Sequence, residues 1–193
     1  MKRKLITIIL ILLLLSGCQD IQIWLKGFEQ TFKGIEMTMQ TYDEDSEIID
    51  RIVGRSISIK RDKRFDADDR YSQVLRITAG NHEVTHVGSS LILFEDGLNN
   101  VFDEFTDRVD IKNLDRSIPL VNRMVNDLKN SFSGKQKVIL IRSQNGTPLA
   151  TFSGNKVSLY KTEVPQSTGL LIDGKYLFIY RCDYTIYDLA LLS

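Results

Sequence analysis

The residues with the clearest catalytic pattern are His82, Glu83 and His86, which match the motif His-Glu-x-x-His. In zinc peptidases this spacing places both imidazoles on one side of a helix, where they bind the metal while the glutamate polarises the metal-bound water. The chemistry offered is therefore metal-assisted peptide hydrolysis. It depends on a helix at this point in the chain.

The sequence around His82 and His86 favours a strand instead of a helix. Gly80 and Gly88 enclose the two histidines, and Val84, Thr85 and Val87 between them are β-branched. On a strand the α-carbons of the histidines lie about 13 Å apart, at about 3.3 Å per residue, which is too far for both to bind one zinc ion. We therefore expect no metal at this motif and no cofactor elsewhere, and we keep a zinc metallopeptidase as the alternative hypothesis.

Two groups of carboxylates offer weaker patterns for a cation. The group at Asp66, Asp68 and Asp69 resembles a calcium loop faintly, because the glycine and the last glutamate of such a loop are missing. The second group lies on one side of a predicted helix and its exit and comprises Asp103, Glu104, Asp107 and Asp110. For this group a solvated acidic face is the simpler interpretation.

The first 18 residues of the chain consist of a basic segment, an apolar run and a final cysteine. Residues 2–4 are basic, residues 5–15 are apolar apart from Thr7, and Leu15-Ser16-Gly17-Cys18 completes the segment. A secretory signal needs an apolar run of about 7 to 15 residues, whereas a spanning helix needs about 20. The segment is therefore predicted to be an export signal.

Leu15-Ser16-Gly17-Cys18 resembles the motif of the lipoprotein signal peptidase at every position. The resemblance implies a diacylglycerol thioether on Cys18, cleavage between Gly17 and Cys18, and acylation of the new amine by a chain such as palmitate. Two or three acyl chains anchor a protein stably, whereas one gives only marginal binding. The alternative is an ordinary secretory signal in which Cys18 is incidental.

Composition limits the remaining possibilities. Residues 18–193 are enough for one domain with a sizeable core. The 193-residue chain has 25 basic and 25 acidic residues, and no basic face is evident, so no nucleic-acid partner is expected. With Cys18 acylated, Cys182 has no partner for a disulfide. It alternates in register with Phe178, Tyr180, Tyr184 and Ile186, so we expect an inert thiol on the apolar side of a strand.

Hydrophobic periodicity predicts a chain that is mostly β. A helix is expected over Asp20–Gly34, and two more over residues 98–105 and 117–134. Strands are expected over residues 36–41, 48–53, 56–60, 73–78, 82–87, 91–94, 137–142, 149–152, 157–160, 170–172, 175–181 and 184–189. Gly54 is expected to end the second strand, and the three strands from 137 to 160 to form a meander. Asp173-Gly174 gives the strongest hairpin signal.

These elements predict a single α+β domain with a mostly antiparallel sheet and two or three α-helices, after an N-terminal lipoprotein signal peptide. Residues 1–17 are the signal peptide, residues 18–34 form a lipid-anchored helix or tether, and residues 35–193 form the domain. The helix in the tether has an apolar stripe that either packs on the domain or lies in the membrane interface.

Several segments together resemble a family of Gram-positive lipoproteins that is known as a domain of unknown function. Besides the motif at Cys18, the resemblance lies in residues 37–43, 86–91, 122–126, 139–151 and 168–187. It covers nearly the whole chain after Cys18 and implies the outer face of the cytoplasmic membrane. It implies no activity, because the family offers no catalytic residues to transfer.

We therefore expect a membrane-anchored extracytoplasmic lipoprotein that acts as a non-enzymatic binding or envelope-interaction module. Its expected contacts are the membrane, through lipid on Cys18, and an envelope protein or ligand whose identity the sequence leaves open.

Overall fold

The computed structural model of the chain describes residues 23–24, 32–43, 45–109 and 119–192. The strands are β1 (Ile23–Trp24), β2 (Glu36–Tyr42), β3 (Ile48–Arg55), β4 (Ile57–Arg61), β5 (Leu75–Ala79), β6 (His82–His86), β7 (Ser90–Glu95), β8 (Lys137–Arg142), β9 (Pro148–Gly154), β10 (Val157–Lys161), β11 (Ser167–Ile172), β12 (Lys175–Tyr180) and β13 (Asp183–Asp188). The helices are α1 (Val101–Thr106), α2 (Leu120–Asp127) and α3 (Lys129–Phe132), with short 3-10 turns at Lys63–Phe65 and Leu189–Leu191.

The largest sheet has seven strands in the order β1-β10-β11-β12-β7-β2-β3. Its neighbours are antiparallel except for β1 and β10, which run parallel. Side chains of the central strands alternate between two buried faces, with Leu93 and Phe178 on one side and Ile92 and Ile179 on the other. Burial on both faces explains why β7 and β12 are nearly continuous apolar runs in the sequence.

Each face of this sheet is covered by a sheet of three strands. The sheet β4-β5-β6 packs through Ile59 and Ile77 on the face that carries Phe178. The sheet β13-β8-β9 packs through Ile139 and Phe152 on the opposite face. Two layers of the core therefore lie against the seven-stranded sheet, one on each of its sides.

The helices cover the outer side of β8. Phe105 of α1 and Met124 of α2 pack against Val138 and Leu140. The layers are, in order, the sheet β4-β5-β6, the seven-stranded sheet, the sheet β13-β8-β9 and the helices. This confirms the prediction of a single domain of mostly antiparallel sheet, with three helices in the described residues. No helix in this part of the chain is long and apolar enough to cross a membrane.

The helix predicted over Asp20–Gly34 is wrong at Ile23–Trp24, which form β1. Ile23 lies in register with Leu159 of β10, so long-range pairing overrides the local helical period at these residues. Gly34 lies in a turn with a φ of 74°. Residues 20–22 and 25–31 lie outside the described residues.

Two predicted element ends are also wrong. Gly54 lies within β3, paired with Met37, and the chain turns instead at Ser56, which has a φ of 58° and accepts a hydrogen bond from the Gly34 N–H. The helix expected over residues 117–134 is divided at Leu128, where the backbone has a φ of −114° and a ψ of 43°. The apolar residues on one side of this segment are buried: Val121, Met124, Val125, Leu128 and Phe132.

The meander predicted from residue 137 to 160 is wrong at its third strand. β8 pairs with β9, but β10 leaves that sheet and pairs with β11 in the seven-stranded sheet. The carboxylate of Asp173 holds the crossing by accepting hydrogen bonds from the backbone N–H groups of Asn155 and Lys156. Gly154 lies so close to Ile172 that a β-carbon would collide with it, so the chain can cross here only because residue 154 is a glycine.

Candidate functional site: a basic cleft

A cleft of about 890 Å³ lies between the end of the sheet β4-β5-β6 and the loop that joins β10 to β11. We call it the basic cleft, because its lining includes more basic than acidic side chains. It is lined by Lys60, Arg61, Asp62, Lys63, Arg64, Tyr71, Arg76, Lys161, Thr162, Glu163, Val164 and Pro165. Most of the charged run from Lys60 to Arg70 is exposed, but its first residues form one wall of this cleft.

The Asp62 carboxylate is neutralised within the cleft wall. Arg64 donates from Nε to Oδ1 at 2.9 Å and pairs its Nη2 with Oδ2. This bonding by Arg64 lowers the pKa of Asp62 to about 2 and raises the pKa of the Arg64 guanidinium. Asp62 therefore stays ionised, and its negative charge is compensated by the guanidinium of Arg64.

Arg61 has the most enclosed cation of the cleft. Its side chain is 13% exposed, its Nη2 lies 3.3 Å from Asp66, and its guanidinium carbon lies 4.1 Å from the centre of the Tyr71 ring. The Nε–H is buried and has no hydrogen-bond partner among the described residues. A buried donor without a partner is costly, and an arginine guanidinium is suited to hydrogen bonding with an anion.

The opposite wall is held in a fixed shape by its own hydrogen bonds. Thr162 donates from Oγ1 to the Val164 carbonyl at 3.1 Å, and the Val164 N–H donates to the same Oγ1 at 3.2 Å. Ser167 Oγ also donates to the Val164 carbonyl, at 2.8 Å, while the Val164 side chain is buried in the core. Lys161 is exposed beside this rigid turn. The arrangement suits binding of an anion by a preformed site.

The structure confirms a strand at His82–His86. His82 lies in register with Ala79 and His86 with Leu75, at opposite ends of β6. His86 Nε2 lies 3.1 Å from the Ser89 carbonyl, and its ring packs edge-on against Tyr180. The motif therefore lacks the helical geometry on which the peptidase hypothesis depends. No cluster of at least three His, Cys, Asp or Glu side chains suited to a metal occurs in the described residues.

Several of the carboxylates that the sequence suggested as cation ligands accept hydrogen bonds or form ion pairs with neighbouring residues. Asp66 accepts a hydrogen bond from the Ser72 N–H at 2.8 Å besides its contact with Arg61. Asp103 accepts from Asn100, and burial raises the pKa of its carboxyl. Glu104 accepts from Arg108 and Ser131. Asp110 lies outside the described residues, as do Gly17 and Cys18.

Cys182 lies on a different face from the one expected. It packs with Tyr184 and Ile186 between the seven-stranded sheet and β13, whereas Phe178 and Tyr180 belong to the core on the other side of that sheet. The register changes because Arg181 adopts a φ of 53°, which separates β12 from β13. The thiol is nevertheless next to apolar side chains, as predicted.

We expect Cys182 to react very slowly with iodoacetamide in the folded chain. Burial raises the pKa of its thiol to about 12. At pH 8 the thiolate is then roughly three orders of magnitude scarcer than in an unfolded chain, where the pKa is about 8.5. Timed alkylation of the folded and the guanidinium-unfolded chain, followed by peptide mapping, measures the ratio. Equal rates at Cys182 in the two samples would contradict the prediction.

The basic cleft was missed because its residues come from distant parts of the sequence. The run at residues 60–70 interleaves both signs of charge and therefore shows no clear excess of cations by itself. Arg76 and Lys161, which add to the positive charge of the cleft, lie elsewhere in the sequence. One local signal was present: Lys60 and Arg76 occupy polar positions on two strands that were both predicted. Their pairing was not derivable without the register of β4 and β5.

The family model for "Domain of unknown function (DUF5052)" matches residues 2–192 of the chain. Comparison with curated proteins gave no match, and comparison with solved structures gave none either.

Proposed function

The chain belongs to the family of the domain of unknown function DUF5052, and we propose that it is a lipid-anchored extracytoplasmic module that binds an anionic ligand in its basic cleft. The family assigns no reaction. Support for the proposal comes from the sequence that ends at Cys18 and from the charges of the cleft. The proposed role is binding without catalysis.

Support for anchoring comes from the export signal and the resemblance of residues 15–18 to the lipoprotein motif. The anchor would also lie near the cleft. Cys18 precedes Ile23 by five residues, so their α-carbons lie within about 18 Å even if the chain is fully extended. Ile23 pairs with Leu159, and Lys161 of the cleft wall follows closely on the same strand. A lipid on Cys18 would therefore hold the basic cleft close to the membrane surface.

The observation that carries the binding proposal is a cleft that brings Arg61 together with cations that have no ion-pair partner among the described residues. Lys60, Lys63, Arg76 and Lys161 line the same cleft and form no ion pair with a described residue. Hydrogen bonds between a guanidinium and an anion are about twice as strong as neutral ones. An anion at Arg61 would gain such a bond and reduce the repulsion among these cations.

We expect Arg61→Gln to weaken binding of inorganic pyrophosphate to the full chain, held in nonionic detergent, by about tenfold or more, because a hydrogen bond to a charged group contributes about 1.5 to 3 kcal/mol. Isothermal titration calorimetry measures the affinity. Arg61→Lys keeps the charge but loses the planar fork, so it should lie between the wild type and Arg61→Gln.

The matched control is Arg55→Gln, which removes the same charge from a residue of β3 that is 74% exposed and lies outside the basic cleft. It should leave pyrophosphate affinity unchanged. Circular dichroism and thermal unfolding establish that each variant is folded. Absence of pyrophosphate binding to the wild type, or equal losses in Arg61→Gln and Arg55→Gln, would remove the cleft from the proposal.

A further inference from the structure

The cations of the basic cleft lie on both faces of β4. Lys60 and Arg61 are consecutive residues of this strand, and consecutive side chains of a strand point to opposite faces. Lys60 pairs with the exposed Arg76, whereas Arg61 pairs with the buried Leu75 at the end of the core face. β4 is an edge strand of its sheet, and the cations that line the cleft come from both faces of this strand.

Lys60 and Arg76 form a pair of like charges directly opposite each other on neighbouring antiparallel strands. Such pairs destabilise a sheet. Among the described residues neither side chain has an ion-pair partner, and the nearby Asp62 carboxylate is already bonded to Arg64. The fold thus places two adjacent positive charges in the cleft lining without a direct ion pair among the described residues, and the Asp62 charge acts on Arg76 only at longer range.

The cations that line the cleft come from separate parts of the fold. The pair Lys60 and Arg76 lies on the outer face of the sheet, Arg61 lies around its edge, and Lys161 lies on the opposite wall. A ligand that compensates all of them must carry several negative charges along its length. Linked charges also bind more tightly than separate ones, because each further contact becomes intramolecular.

We propose that the occupant of the basic cleft is an extended polyanionic chain that contacts Lys60, Arg76, Arg61 and Lys161 at the same time. The inference rests on the proposed function, since it assigns a ligand class to the same cleft. Phosphate and carboxylate chains share the required chemistry, and the experiment separates them.

The test uses the full chain in nonionic detergent and three probes: orthophosphate, linear polyphosphate and poly-glutamate. Polyphosphate should bind at least about tenfold more tightly than orthophosphate at equal phosphate concentration, because several contacts act together. Its affinity should fall steeply with salt, by a log-log slope of about 0.7 for each contact with a cation. Comparable binding of poly-glutamate identifies charge alone as the recognised feature, and weaker binding identifies phosphate.

The decisive variant is Lys60→Gln combined with Arg76→Gln. It should reduce the magnitude of the polyphosphate salt slope by roughly 1.4, because two contacts are lost. It should also raise the midpoint of thermal unfolding by about 1 to 3 °C, because the like-charge pair is removed. A loss of binding with a gain of stability cannot be attributed to misfolding.

The matched control is Lys129→Gln combined with Lys156→Gln, which changes the net charge equally at two exposed residues outside the cleft. It should leave the salt slope unchanged. Equal affinity for orthophosphate and polyphosphate, an equal effect of the control, or stronger binding to vesicles of phosphatidylglycerol than to either chain would overturn the inference. If orthophosphate binds as tightly as polyphosphate and Arg61→Gln abolishes both, the proposed function stands and only the polyanionic ligand fails.

Discussion

Replacing Cys18 with alanine is expected to move the protein from the membrane fraction to the soluble fraction of the cells that export it. A thioether to diacylglycerol requires the sulfur of this cysteine, and stable anchoring depends on two or three acyl chains. Cell fractionation measures the location of the protein, and intact-mass measurement detects the attached lipid. For the wild type we expect a membrane-bound form that begins at Cys18 and carries the mass of the acyl chains.

The second cysteine of the chain provides the control. Cys182 is half-buried against the apolar cluster beside β13, so Cys182→Ala removes a thiol without touching the proposed anchor. This variant should stay in the membrane fraction with its lipid. If the wild type lacks lipid, or if it begins at another residue, then the anchor and the membrane location inferred from it both fail.

Phe178→Ala is expected to lower the free energy of unfolding by about 3 to 5 kcal/mol. Phe178 is fully buried, with 0% exposure, in β12 at the centre of the seven-stranded sheet. It packs in the core layer that this sheet shares with the sheet β4-β5-β6, so its removal leaves a cavity between two layers that cannot collapse freely. Urea unfolding followed by circular dichroism measures the change.

Phe65→Ala is the matched control for the core substitution. Phe65 lies in the 3-10 turn at Lys63–Phe65 and is 60% exposed. Its replacement should change the free energy of unfolding by no more than about 0.5 kcal/mol. Similar losses for Phe178→Ala and Phe65→Ala would contradict the layered packing described above.

Local patterns predicted most of the strands because their signals lie within a few residues. Asp173 and Gly174 both adopt positive φ angles, 51° and 86°, as an Asp-Gly hairpin turn requires. The β-branched residues between Gly80 and Gly88 favoured a strand over the helix of a zinc site, and β6 confirms that prediction. In each case the conformation follows from the residue types at and beside the position.

Pairing between distant strands was beyond the reach of the same patterns. β1 is a strand because Ile23 meets Leu159 of β10, although the surrounding residues have a helical period. β10 resembles the strands before it but joins another sheet, at a crossing that depends on Asp173. Such contacts join residues far apart in the chain, and no short window of sequence contains both partners.

The sequence by itself determined the class of the domain, the positions of most of its strands and the expectation of an export signal that ends at Cys18, because periodicity and residue type act locally. Only the tertiary structure decided that Lys60, Arg76 and Lys161 line one cleft. Their proximity depends on the register of β4 with β5 and on the packing of that sheet beside the loop after β10. Positive charges from separate segments become a binding surface only when buried apolar faces bring those segments together.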